Sequence, residues 1–135
     1  MSVDCLFCKI VEGSIPAHKI YEDEKTVVFL DILPMSVGHA IVVPKTHSEN
    51  LLEANPTDVS AVLATMQRIA PAFGSALGAD AMNIGINCGA AAGQTIFHSH
   101  AHMIPRVTGT PRSFEHMTVT QEELAATAEK LRAKM

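Results

Sequence analysis

A histidine recurs at every second position from His98 to His102, and no other feature constrains the fold of this 135-residue chain as tightly. Side chains of a β-strand alternate between its two faces, so His98, His100 and His102 share one face while Ser99, Ala101 and Met103 share the other. Same-face residues repeat roughly every 6.6 Å along a strand. Three imidazoles in a row are costly to bury without partners, which favours a working face over ordinary surface or satisfied core histidines. Two chemistries suit the pattern. An H-x-H pair on a strand converges on zinc when a third ligand comes from elsewhere. Alternatively, a neutral imidazole attacks phosphorus while its neighbours stabilise the oxygens and the leaving group. Histidine suits the second role because its reference pKa of about 6.5 leaves much of it unprotonated at neutral pH. The spacing leaves both open, and different histidines can serve each.

The segments around this strand predict the rest of the architecture. Cys5 to Val11 reads as a short helix or turn, ended by Gly13 to Pro16. Ile20–Glu22 and Thr26–Leu30 read as strands joined by a tight turn at Asp23-Glu24-Lys25, and His39–Val43 as a buried strand closed by Pro44. Asn55-Pro56 is a helix start, and Val59, Val62, Leu63, Met66, Ile69 and Phe73 follow at helical spacing. Pro71 is expected to kink or end that helix. Met82–Asn87 and His98–Ile104 supply two more strands, and Thr120-Gln121-Glu122-Glu123 opens a terminal helix through about Lys134. Short crossovers point to an α+β fold, a mainly antiparallel sheet of five strands with its helices segregated to one face. The length suits one domain over 1–135, with a core at 5–106 and a C-terminal extension at 107–135.

Composition excludes some classes. A net charge of −4 argues against a non-specific nucleic-acid binder, although a mononucleotide in a local pocket is compatible with it. The longest apolar stretches, such as Ala40-Ile41-Val42-Val43, are strand-length, well short of the roughly 18–20 residues that span a bilayer. With no secretory signal in the first residues, the expected location is cytoplasmic. Three cysteines without such a signal do not suggest a disulfide framework. Cys5-x-x-Cys8 is half a metal site, with redox chemistry or two plain thiols as the other readings; Cys88 reads as a small packing residue.

The triad strand continues a longer pattern. Gln94-Thr95-Ile96-Phe97-His98-Ser99-His100-Ala101-His102-Met103-Ile104-Pro105-Arg106 resembles the signature of the histidine triad (HIT) superfamily. Phe7-Cys8-Lys9-Ile10, Ile15-Pro16, Tyr21-Glu22-Asp23, Phe29-Leu30-Asp31-Ile32, and Gly38-His39 through Pro44-Lys45-x-His47 fall in that family's order. The resemblance covers residues 5 to about 106 and points to the Hint-like branch, of the bacterial, zinc-containing type. It implies a HIT-like fold and a nucleophilic His100 that becomes nucleotidylated. His102 and His39 would contact α-phosphate oxygens, and His98 would orient His100. Asn87, Gly93, Gln94 and Thr95 would hold phosphate and leaving group. Asp31 would bind the ribose, with Leu6, Phe7, Ile10, Phe29 and Ile32 around the base.

Residue types alone support part of this. Asp31 follows a strand at a turn, where it is either a ligand contact or simple turn chemistry. Gly89 and Gly93 flank a loop whose N–H groups could face a phosphate, or that binds nothing. Leu6, Phe7 and Ile10 read by periodicity as ordinary core. The resemblance further implies one structural zinc per chain on Cys5, Cys8, His47 and His98, with no catalytic metal, and a homodimer. The implied substrate is a purine nucleotide resembling AMP or GMP, such as a nucleoside 5′-phosphoramidate. A dinucleoside polyphosphate hydrolase is the near alternative. More distant ones are an enzyme whose three triad histidines bind a catalytic ion, and a non-catalytic nucleotide- or zinc-binding module. Two departures from the family pattern stand out: Ser99 occupies a normally apolar position, and Thr95 replaces the usual serine.

Overall fold

The structure is a computed structural model that describes residues 4–135. Strands β1 (Lys19–Glu22), β2 (Thr26–Leu30), β3 (Ala40–Pro44), β4 (Ala81–Gly85) and β5 (Ala101–Arg106) form one sheet. Three α-helices accompany it: α1 (Leu6–Glu12), α2 (Pro56–Leu77) and α3 (Gln121–Arg132). The spatial order is β1-β2-β3-β5-β4, and every neighbouring pair is antiparallel. This is the five-stranded α+β arrangement that the pattern predicts. No helix among the described residues is long and apolar enough to cross a membrane.

Local chemistry sets most element ends. The β1–β2 turn closes on Asp23, whose Oδ1 accepts the N–H groups of Lys25 and Thr26 at 2.8 and 2.9 Å. Asn55 caps α2 by accepting the Thr57 N–H, with Pro56 at the first helical position. Thr120 caps α3 by accepting the Glu123 N–H. Pro71 does not end α2, which continues to Leu77 and a left-handed Gly78 cap. Proline costs its helix one hydrogen bond, at the carbonyl four residues earlier. Here that residue is Gln67, on the exposed side, where water can replace the bond, while buried Ala72 and Phe73 hold the following turn in the core. Leu63 departs from its expected place on the buried stripe, being 48% exposed. Thr65 is buried instead, its hydroxyl 2.7 Å from that of Thr26 on β2.

The sheet is covered on both faces, which corrects the expectation of helices on one side. Alternate residues Val28, Leu30, Ala40, Val42, Ala101 and Met103 pack under α2 and α3. The intervening Val27, Phe29, Ile41 and Val43 form a second cluster with Phe7, Cys8 and Ile10 of α1. Strands buried on both sides read as continuous apolar runs, so β2 and β3 carried no alternation to reveal which face a helix covers. Burying side chains the size of Phe7 and Ile10 contributes about 1.5–3 kcal/mol each, enough to dock a seven-residue helix that would not persist alone.

One strand boundary matters for chemistry. The β3–β5 ladder runs from Ala40↔Met103 to Val42↔Ala101, so His98, Ser99 and His100 lie ahead of the strand expected to contain them. Pro44 has no N–H with which to extend the ladder. Instead, the His98 ring donates to the Pro44 carbonyl at 2.8 Å and the Ser99 N–H donates to the Ser48 carbonyl at 2.8 Å. The histidines nonetheless keep to the α1 side of the sheet, with Phe7 edge-on to both His98 and His100.

Candidate active site and metal centre

Hydrogen-bond partners define the protonation pattern of the triad. The Nδ1 of His100 lies 2.7 Å from the carbonyl oxygen of His98. A carbonyl only accepts, so the neutral ring carries its proton on Nδ1 and a lone pair on Nε2. A second chain starts at the Met35 N–H, which donates to His39 Nδ1 at 3.0 Å. The His39 proton therefore sits on Nε2, which faces His102 Nδ1 at 2.9 Å. His102 accepts there and is left with its own proton on Nε2. Next to each other, 5.1 Å apart between ring centroids, stand one imidazole with a free lone pair and one with a free N–H. That is the pairing required to attack an electron-poor centre and to hydrogen-bond the oxygen that gains charge.

Burial favours the neutral form of these rings. Desolvation lowers the pKa of His100 and of His102 below the usual histidine value, outweighing the nearby Asp31 carboxylate. His39, 1% exposed, is pushed down to about 4 by burial, against the opposing pull of Asp31. The 3.6 Å contact between His39 Nε2 and Asp31 Oδ2 is therefore a polar contact of a neutral ring. With both nitrogens engaged, His39 orients His102, which differs from the direct phosphate contact that the family pattern implies.

The remaining expected residues divide into those facing the site and those holding it up. Asp31 does both: Oδ1 accepts the Leu33 N–H at 2.8 Å in a turn, while Oδ2 faces His39. Leu6 and Ile32 are exposed at 39% and 62%. Phe7, Ile10 and Phe29 are buried core instead; Phe7 sits edge-on to His100 with centroids 5.0 Å apart and serves as its wall. Gly93 has φ +97°, and a Cβ there would lie 3.7 Å from Asn87 Nδ2. Thr95 is exposed at the end of the loop.

Gln94 does not face a ligand. Its Nε2 donates to the carbonyls of Glu49 and Ile96, and its Oε1 accepts the Gly89 N–H at 2.8 Å. The N–H groups of Ala92, Gly93 and Gln94 also bond within the loop. Four N–H groups of the expected phosphate cradle, those of Gly89, Ala92, Gly93 and Gln94, are thus spent on the loop's own shape.

On the other side of His98 lies a metal centre. The Sγ atoms of Cys5 and Cys8 and the Nδ1 atoms of His47 and His98 all fall within 4.8 Å of one another. Sulfur-to-nitrogen distances are 3.3–3.4 Å and the two nitrogens are 3.2 Å apart. A tetrahedral zinc with Zn–S of about 2.3 Å and Zn–N of about 2.0–2.1 Å implies separations of about 3.5 and about 3.3 Å. The fit is close. Because His98 Nε2 donates to the Pro44 carbonyl, its Nδ1 lone pair points inward, and burial lowers its pKa in favour of the neutral ring that a metal needs. The four residues thus make the structural zinc site that the superfamily pattern implies.

Asp31, His39 and His102 form another cluster of potential ligands, but its protons are in the wrong place. His39 Nδ1 already accepts the Met35 N–H, so its Nε2 must carry a proton and cannot offer a lone pair. Nor do the three triad histidines converge on one ion, since both nitrogens of His98 are engaged at the cysteine cluster and at Pro44. The triad-metal reading of the spacing fails on this geometry.

Two features carried no functional role in the sequence reading. Residues 107–120 form a strap beside the site: Arg106 donates to the Ser113 carbonyl at 2.7 Å and lies under Phe114, while His116 donates to the Leu33 carbonyl and Met117 N–H to that of Pro34. The second is Ser48, which partners Ser99. A serine on a buried apolar face demands a polar partner, and that was the available signal.

The fold recurs in known proteins. The family profile of the HIT domain matches residues 12–109. Over 103 residues the chain is 46% identical to the Arabidopsis thaliana protein Adenylylsulfatase HINT3, a match covering 76% of this chain and 52% of that one, so the chain spans about half that relative's length. Among solved structures, a Zn-bound histidine triad family protein from Mycobacterium smegmatis superimposes with a TM-score of 0.90 at 43% identity, covering 99% of this chain and 94% of that one. A HIT family hydrolase from Clostridium thermocellum gives 0.69 at 34% identity, covering 82% and 97%. With the family profile spanning most of its length and a Zn-bound family member superimposing on nearly all of it, the chain belongs to the HIT family of the histidine triad superfamily, in its zinc-containing form.

Proposed function

We propose that this protein is a nucleotide hydrolase or transferase that cleaves purine nucleoside 5′-phosphoramidates, or related nucleotides, at the α-phosphate through a nucleotidyl-His100 intermediate. The observation that carries this reading is the His100 Nδ1–H held by the His98 carbonyl, which leaves Nε2 free to attack. His100 Nε2 bonds to the α-phosphorus as the phosphorus–nitrogen bond of the substrate breaks, and the amine leaves with a proton from solvent. Water then displaces the imidazole, releasing the nucleoside monophosphate and restoring neutral His100. Throughout, the His102 Nε2–H stabilises a phosphoryl oxygen, and His39 keeps that proton on Nε2. Asp31 takes the ribose hydroxyls, and Leu6 and Ile32 flank the base. Zinc on Cys5, Cys8, His47 and His98 supplies no step; it fixes where His98 stands.

The leaving-group side favours an uncharged amine over a polyphosphate. Residues 86–97 contain neither lysine nor arginine, so a polyanionic leaving group would find no cation there. A comparison of adenosine 5′-phosphoramidate with diadenosine tetraphosphate tests the assignment. We expect kcat/KM to favour the phosphoramidate by at least about tenfold, a difference of ~1.4 kcal/mol in transition-state binding. A preference in the other direction would transfer the protein to the dinucleoside polyphosphate hydrolases, and tight AMP binding without turnover of either would make it a binding module.

A homodimer belongs to the same proposal. Strand β4 lies at a sheet edge, and Ile84 on it and Ile86 just beyond its end are 48% and 43% exposed. An unpaired edge flanked by exposed apolar residues invites pairing with a second copy. Sedimentation should give twice the chain mass for the native protein and the single chain mass for Ile84→Lys; a native monomer would contradict it.

A further inference from the structure

Ser99 breaks the apolar face of the triad segment, yet it is fully buried, on the side where Ala101 and Met103 pack beneath the helices. Its hydroxyl lies 2.5 Å from the Ser48 hydroxyl, and its N–H donates to the Ser48 carbonyl at 2.8 Å. Ser48 directly follows the zinc ligand His47. The next residue, Glu49, accepts from Gln94 Nε2 at 2.6 Å, and Gln94 in turn holds the Gly89 N–H of the glycine loop. Residues 47–49 therefore touch the metal centre, the triad segment and the loop beside Asn87.

The peptide unit between His98 and Ser99 is the centre of this network. Its N–H is held by the Ser48 carbonyl, and its C=O holds the Nδ1–H of His100. A peptide whose N–H is donated becomes a stronger acceptor at its oxygen, so the two bonds reinforce each other. Holding the peptide plane also sets the direction from which Nε2 emerges.

We infer that Ser48 and Ser99 form a positioning pair for the reaction: through the shared peptide they fix both the tautomer and the aim of the His100 ring. The hydroxyl pair keeps the Ser48 carbonyl opposite the Ser99 N–H, a task that a purely apolar residue at 99 could not perform. The inference rests on the nucleophilic role proposed for His100. Neither serine touches substrate.

The test combines kinetics with nitrogen NMR on the zinc-loaded full chain, using Ser48→Ala, Ser99→Ala, their double variant and Ser48→Thr. Adenosine 5′-phosphoramidate is the substrate. We expect each alanine variant to lower kcat about tenfold with KM within twofold, and the double variant to lose no more than a single one, as coupled residues do. Ser48→Thr, which retains the hydroxyl, should recover most of the rate. Long-range proton–nitrogen spectra should show His100 as the Nδ1–H tautomer in the native protein and as a mixture in the alanine variants. The inference is overturned if the tautomer and kcat are unchanged in well-folded alanine variants, or if the rate falls only in proportion to lost zinc or lost folded protein. Because the tautomer is read without substrate, a native protein that shows it but turns nothing over would count against the proposed function and leave the positioning intact.

Discussion

Substituting His100 by alanine is expected to lower kcat/KM on adenosine 5′-phosphoramidate by at least about a thousandfold, or ~4 kcal/mol of transition-state stabilisation. The size follows from what is removed. A nucleophile divides one difficult displacement into two easier ones, and none of the other three imidazoles at the site offers a replacement lone pair. His98 is committed to the metal centre and Pro44, His39 holds its proton toward His102, and His102 presents an N–H. The variant should retain nucleotide binding, because Asp31, Leu6 and Ile32 are untouched. A loss of rate with unchanged affinity for AMP separates a missing nucleophile from a collapsed pocket. Turnover within tenfold of the native protein would remove His100 from the mechanism.

Loss of the zinc site should have the largest effect on stability. Cys8 is 1% exposed, its Sγ lies 3.3 Å from His47 Nδ1 and 3.4 Å from His98 Nδ1, and it belongs to the cluster that docks α1 on the sheet. Cys8→Ser is expected to reduce bound zinc from about one per chain to a small fraction and to lower Tm by at least about 10 °C. Metal-binding free energy is folding free energy when the site exists only in the folded chain. A domain of this size shifts by a few degrees for each kcal/mol, so a loss of several kcal/mol suffices. Activity should fall as well, since His98 is both a zinc ligand and, through its carbonyl, the support of His100. Elemental analysis and calorimetry decide: native protein without zinc, or a variant with native Tm, would contradict the assignment.

The residues that were readable from sequence were those whose chemistry repeats or is local. Period-two histidines announced that their side chains share one face, although the strand itself begins only at Ala101, and Asn55, Thr120 and Asp23 announced their caps and turn because each acts within a few residues of itself. The Cys5-x-x-Cys8 pair could be seen as half a metal site, but its completion by His47 and His98 depends on pairings across 39 and 93 positions. Only the family resemblance pointed there. What stayed hidden was set by tertiary competition. Pro71 was overruled by buried Phe73, α1 found the second apolar face of β2 and β3, and Gln94 turned from ligand to loop brace because three backbone groups surround it. His39 shows the limit most clearly. Its residue type suits phosphate, yet a single backbone N–H from Met35 decides which nitrogen carries the proton and hence which neighbour it serves.

The covalent intermediate is the central claim, and it is directly observable. Native protein mixed with adenosine 5′-phosphoramidate, quenched with alkali within the first turnovers and examined by intact mass and peptide mapping, should carry one adenylyl group per active chain, on His100. The adduct should be absent from the alanine variant. Product formed at the native rate with no adduct at any quench time, or an adduct on a residue other than His100, would contradict the account.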